Sequence, residues 1–185
     1  YYALAALSGL LLALAYPGWG FNGSTALTTG LDWLAWIGLV PLFWSLHHLV
    51  SAKSPAFKRD AFIIGLIAGL IYFLIIFRWF WSIHPLDTLG IESGLLSFFM
   101  VLLIYLISSV GMAVFWGLAG LIFSKSWSKN YLLTTPAIFV LFEYLRSWGF
   151  GILWAGSGSL FGPHWTQGNL AYALANNQLA LSLAS

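Results

Sequence analysis

Cysteine is absent from the 185 residues, which excludes a disulfide framework, a thiolate metal site and a cysteine nucleophile within them. Charge is nearly as scarce, with seven Lys and Arg and five Asp and Glu making up 6% of the chain. Soluble domains carry roughly 25% charged residues, so a water-facing surface cannot be built from this set. The net charge of +2 is too small to imply nucleic acid as a partner. What is present is apolar: 61% of residues are hydrophobic, among them 11 Trp, 8 Tyr and 15 Phe, and mean hydropathy is +0.90. Rings at this density suit aromatic belts at the headgroup level. The solvent is a bilayer.

A helix needs about 20 apolar residues to cross a hydrocarbon core roughly 30 Å thick. The hydropathy pattern predicts an all-α, polytopic transmembrane helix bundle of about five complete spans and a truncated sixth. The first runs from Tyr1 to Tyr16 and is closed by Pro17 and Gly18. No basic stretch precedes it, and more spans follow, which argues against a signal peptide. The second covers Asp32 to Val50 with Pro41 inside it, and the third Ala61 to His84. Within the third, Gly65-Leu-Ile-Ala-Gly69 offers a small-xxx-small face for close helix packing. The fourth, Ser93 to Phe123, is too long for an upright span and must tilt, kink near Ser108 to Gly111, or leave the membrane. The fifth covers Tyr131 to Trp148, and the sixth begins near Asn169. The start at Tyr1 and the stop inside the apolar run Leu179 to Ser185 give the expectation of one transmembrane domain over 1–185, cut from a longer protein.

Charge then sets orientation. Lys53, Lys58 and Arg59 fall between the second and third spans, and Lys125 and Lys129 between the fourth and fifth. The alternate connections carry Asp32, Asp87 and Glu92 instead. By the positive-inside rule the basic loops are cytoplasmic, and the connections at 17–31, 85–92 and 149–168 face outward.

Three charges remain inside apolar segments, near the predicted outward ends: Arg78, Glu143 and Arg146. A charge at a helix centre costs about 2.5–3.5 kcal/mol on insertion scales, so such residues face a bundle interior or water. Glu143 and Arg146 are three apart and share a helix face. Two readings stand for them. Either they neutralise each other and fix helix packing, or Arg146 offers its planar fork to a lipid phosphate or a partner carboxylate. An Arg146→Lys substitution separates the two. Arg78, within Phe77-Arg-Trp-Phe-Trp81, reads as a side chain snorkelling to headgroups beside an aromatic belt. His47 and His48 are adjacent and diverge by about 100° on a helix, and no carboxylate or cysteine cluster stands at ligand spacing, so no metal site is expected. Gly156-Ser-Gly-Ser159 fails the nucleophile-elbow pattern, because Ala155 and Ser159 flank Ser157 where glycines are needed. The Gly-rich stretch 149–168, with Trp154 and Trp165, is long for an idle turn and is expected to dip into the interface and meet a partner.

The order of motifs resembles the membrane portion of apolipoprotein N-acyltransferases. Leu14-Ala-Tyr-Pro-Gly-Trp-Gly20 is similar to that family's Ala-Phe-Pro-Pro-Phe-Gly turn, and Leu34-Ala-Trp-Ile-Gly-Leu-Val-Pro-Leu42 to its Leu-Ala-Trp-x-x-Leu-Val-Pro-Leu. Gly65 through Gly69 to Trp79 resembles its glycine-rich helix ending in aromatics, and Glu143-Tyr-Leu-Arg-Ser-Trp148 its Glu-x-Leu-Arg-Ser/Gly-Trp. One departure is Gly151-Ile-Leu-Trp154, where the family commonly has Gly-Phe-Pro-Trp.

The resemblance implies a bacterial inner-membrane enzyme that moves an acyl chain from a phospholipid to the N-terminal diacylglyceryl-cysteine of a lipoprotein. It also implies an outward nitrilase-like domain with a Glu-Lys-Cys triad, in which the cysteine forms an acyl-enzyme and so splits one hard transfer into two easier ones. That domain is expected beyond Ser185, so no catalytic residue and no cofactor is assigned to this chain. Its expected task is positioning, with Glu143, Arg146, Trp148, Trp154 and Arg78 as the residues meeting a lipid headgroup or the missing domain. Three rivals remain: a scaffold associated with a polyprenol-phosphate glycosyltransferase, a small transporter-like bundle, which would need broken helices and inverted repeats, and a plain anchor, in which Glu143 and Arg146 are replaceable together.

Overall fold

The computed structural model describes residues 1–16, 31–52, 56–125, 131–155, 168–174 and 182. Helices α1 (Tyr2–Ala15), α2 (Leu34–Ile37), α3 (Val40–Ser51), α4 (Phe57–Ile76), α5 (Gly94–Lys125) and α6 (Tyr131–Ala155) make an all-α bundle. Three helical stretches among the described residues are long and apolar enough to cross a membrane: Leu34–Ser51, Phe57–Ile83 and Gly94–Ser124. α1 is shorter at 14 residues, and α6, at 25, carries Glu143 and Arg146 in its middle.

Between helices in lipid there is no hydrophobic drive, so close packing of small residues decides contact. α4 is the hub. A Cβ on Gly65 would lie 2.2 Å from the Trp116 carbonyl oxygen of α5, and one on Gly120 would lie 2.5 Å from that of Ala61. The expected small-xxx-small face of α4 is therefore the seam with α5. On a neighbouring side of α4 a Cβ on Gly9 would lie 2.3 Å from the Ala68 carbonyl oxygen, so α1 is drawn in as closely. The large buried rings Tyr72, Phe73, Phe77 and Trp116 fill the space beyond these crossings.

The second predicted span is two helices. It breaks at Gly38 and Leu39, and Pro41 sits in the first turn of α3, where its missing N–H costs little. The buried Ser8 hydroxyl of α1 donates to the Gly38 carbonyl at this break. The third span ends in a 3-10 turn, Phe77–Ile83, that holds Arg78. α5 runs unbroken through Ser108 to Gly111 for 32 residues, about 48 Å at 1.5 Å per residue. Its length is thus met by tilt or by extension past the hydrocarbon, without an interruption of the helix. Ser109 bonds back to the Tyr105 carbonyl at 2.7 Å, which satisfies its hydroxyl inside the apolar helix. Leu95, Leu96, Phe99, Leu103, Ile107 and Val110 stand exposed along α5, a face suited to hydrocarbon.

α6 corrects one boundary. Its expected end was Trp148, but the helix continues to Ala155 through Gly149 and Gly151. Each glycine costs a helix about 1 kcal/mol against alanine, yet the helix continues through both. The first seven residues of the loop expected from 149 are therefore helical. Residues 156–167, including Ser157, and the basic Lys53 and Lys129 lie outside the described residues.

A buried charge cluster under a polar strap

Extending α6 to Ala155 puts Arg146 nine residues before the helix end, about 14 Å deeper than that end. Arg146 is 0% exposed, so its fork faces the chain's own interior. Its Nη2 lies 3.2 Å from Glu143 Oε2, and its Nε donates to Glu143 Oε1 at 3.3 Å. This two-point pairing is the strong geometry for guanidinium and carboxylate. Of the two readings of the pair, mutual neutralisation within one helix is the contact present.

Residues of α4 and α5 complete the surround. Trp116 donates its indole N–H to Glu143 Oε1 at 2.8 Å, and Arg146 Nη1 lies 3.2 Å from Met112 Sδ. The guanidinium carbon stands 5.2 Å from the centroid of Phe73, within cation–π range. Trp116 in turn stacks on Tyr72 at 5.1 Å. A buried ion pair is stable only when its remaining lone pairs and protons are also satisfied, which these neighbours supply.

The last partner comes from far along the chain. Arg146 Nη2 also donates to the Asn169 side-chain oxygen. Gly168, just before it, is held twice, since its carbonyl accepts from Tyr72 OH at 3.1 Å and its N–H donates to Tyr16 OH at 3.3 Å. Gly168 has φ +79°, and a Cβ there would lie 2.9 Å from the Phe73 ring, so both backbone and space call for glycine. The 3-10 turn Leu170–Leu174 follows, with the Tyr172 ring edge-on to Tyr16 at 6.3 Å. Residues 168–174 form a strap across α1, α4 and α6.

Of the five residues singled out from sequence, Glu143 and Arg146 are brought together. Arg78 is half-buried in the 3-10 turn after α4, and Trp148 is half-buried two residues past Arg146. Trp154 lies on the last turn of α6, and its side chain lies outside the described residues. Trp116, Met112, Phe73, Tyr72, Tyr16 and Asn169 were not anticipated. The spacing of Met112 and Trp116 on one α5 stripe with Gly120 hints at them, but the pairing of Asn169 with Arg146 spans 23 residues and leaves no local mark. Among the described residues no group of three or more His, Asp or Glu is placed to hold a metal. The cluster contains no nucleophile aimed at a cavity. It can hold elements in place.

A family model described as the apolipoprotein N-acyltransferase N-terminal domain matches residues 8–185. The chain belongs to that family. Over 86 residues it is 38% identical to a protein of Gloeobacter violaceus named apolipoprotein N-acyltransferase. That match covers 46% of this chain and 15% of the relative. No solved structure matches the chain. Within this N-terminal domain, the Glu143 to Trp148 motif that carries the resemblance is the stretch of α6 holding the buried pair.

Proposed function

We propose that this chain is the membrane portion of an enzyme that transfers an acyl chain from a phospholipid to the N-terminal diacylglyceryl-cysteine of a lipoprotein. The observation that carries the reading is the family match from residue 8 to residue 185, over an all-α bundle in which three helical stretches among the described residues are long and apolar enough to cross a membrane. The chemistry then belongs to a nitrilase-like domain of the full protein, and this chain contributes no catalytic residue and no cofactor. Its work is placement. Both substrates are lipids, so fixing the catalytic domain at one leaflet removes much of the orientational entropy of meeting them.

In this reading the protein lies in the bacterial inner membrane, and the start of α4 with Lys58 and Arg59 and the end of α5 with Lys125 are cytoplasmic. α6 then crosses to the outward side, and Ala155 ends near the catalytic domain. Arg78, Trp148 and Trp154, toward the outward ends of their helices, are the proposed contacts to headgroups or to that domain. Glu143 and Arg146 act less directly, by holding the strap.

The test is made in bacteria depleted of their own N-acyltransferase and supplied with the full-length protein. A lipoprotein N-terminus is recovered and its lipopeptide weighed by mass spectrometry. One added acyl chain on the diacylglyceryl-cysteine is the expected result, and a lipopeptide that stays diacylated overturns the reading.

A further inference from the structure

α6 reaches Ala155, yet the chain returns at Asn169 to an arginine nine residues back along that helix. Gly168 meets the ring of Phe73, itself ten residues before Ile83 at the end of the same helical stretch. Strap residues 168 and 169 therefore lie well inside the bundle. Irregular backbone at hydrocarbon depth is tolerated only where protein satisfies its N–H and C=O groups, and Tyr16 and Tyr72 do this for Gly168. The following turn rests on α1 and α2. A buried ion pair and an irregular strap are both costly in a membrane, and here the two meet at one contact, between Arg146 and Asn169.

We propose that Asn169 is a positioning residue for acyl transfer, acting through Arg146 to fix the strap against α6. This rests on the acyltransferase reading above. α6 and the strap flank residues 156–167 in the sequence, and a single pair of charges ties both. An amide oxygen is the matching partner. Glu143 already neutralises Arg146, so the strap needs an acceptor without a second negative charge.

The experiment uses the full-length protein in native membranes. Asn169→Leu removes the acceptor, and Asn169→Gln keeps an amide oxygen. A photo-crosslinking phenylalanine analogue in place of Tyr172 reports separately whether the strap still lies against Tyr16, whose ring is 6.3 Å away. Asn169→Leu is expected to lower kcat for acyl transfer by about 10²-fold, as small misplacements remote from chemistry can, to leave KM unchanged, and to lose the crosslink. Asn169→Gln is expected to restore the crosslink and most of kcat. Full transfer by Asn169→Leu overturns the inference, and so does lost transfer with the crosslink intact. Transfer missing from the unsubstituted protein overturns the acyltransferase reading itself, and the crosslink still reports whether Asn169 holds the strap.

Discussion

The seam between α4 and α5 and the contact between α6 and the strap hold the same bundle by opposite means. The first depends on side chains that are missing: Gly65, Gly69 and Gly120 let two backbones approach until a single Cβ would collide. The second depends on charge and hydrogen bonds that converge from three elements, α5, α6 and the strap, on Arg146 and Glu143. Dispersion across a close seam resists shape change but is indifferent to direction. A buried ion pair is directional, and it penalises the loss of one partner far more than the loss of both. A membrane protein that needed only to stay together could use the first device throughout, so the second marks a place where geometry matters.

The sharpest way to separate the two devices is to strip one charge. Arg146→Ala leaves Glu143 buried without its cation and is expected to cost about 3–5 kcal/mol, read as a large fall in thermal stability of the full-length protein in detergent. Replacing both together, as Glu143→Gln with Arg146→Met, is expected to recover most of that loss, because no lone charge remains. The apolar seam breaks differently. Gly65→Val drives a side chain into the Trp116 backbone and is expected to cost about 1–3 kcal/mol or somewhat more, with no rescue by any change of charge. Smaller effects grade the cluster from within. Trp116→Phe loses the N–H to Glu143 and Tyr72→Phe loses the bond to Gly168. Hydrogen bonds between helices in bilayers average about 0.6 kcal/mol and reach about 1.7, so the tryptophan change is expected near the upper figure and the tyrosine change near the lower. Val140→Ala, on the exposed face of α6, is expected to stay within about 0.5 kcal/mol by the same melting assay.

The apolar device was readable in advance because it is local. Gly65 and Gly69 sit one turn apart, and a spacing of four is enough to announce a packing face. Glu143 and Arg146 were readable for the same reason, being three apart on one helix. The neighbours that bury them were not. That burial depends on α6 running past Gly149 and Gly151, where propensity alone favours an end, and on Phe73, Met112 and Trp116 closing around the guanidinium. Pro41 showed the reverse case, in which a residue expected inside one span begins a new helix because Gly38 breaks the one before it. Asn169 had no signal at all in the sequence. Its role exists only because the chain folds back across 23 residues to meet Arg146.

Whether the buried pair serves function or packing is settled most directly by the Glu143→Gln and Arg146→Met double replacement in the full-length protein, assayed for N-acylation of a lipoprotein by mass spectrometry. The account predicts a protein that melts near the unsubstituted one but transfers its acyl chain about tenfold more slowly or worse, because the strap has lost its anchor. Unchanged transfer in a stably folded double variant would contradict it and leave the pair a packing device within a membrane anchor.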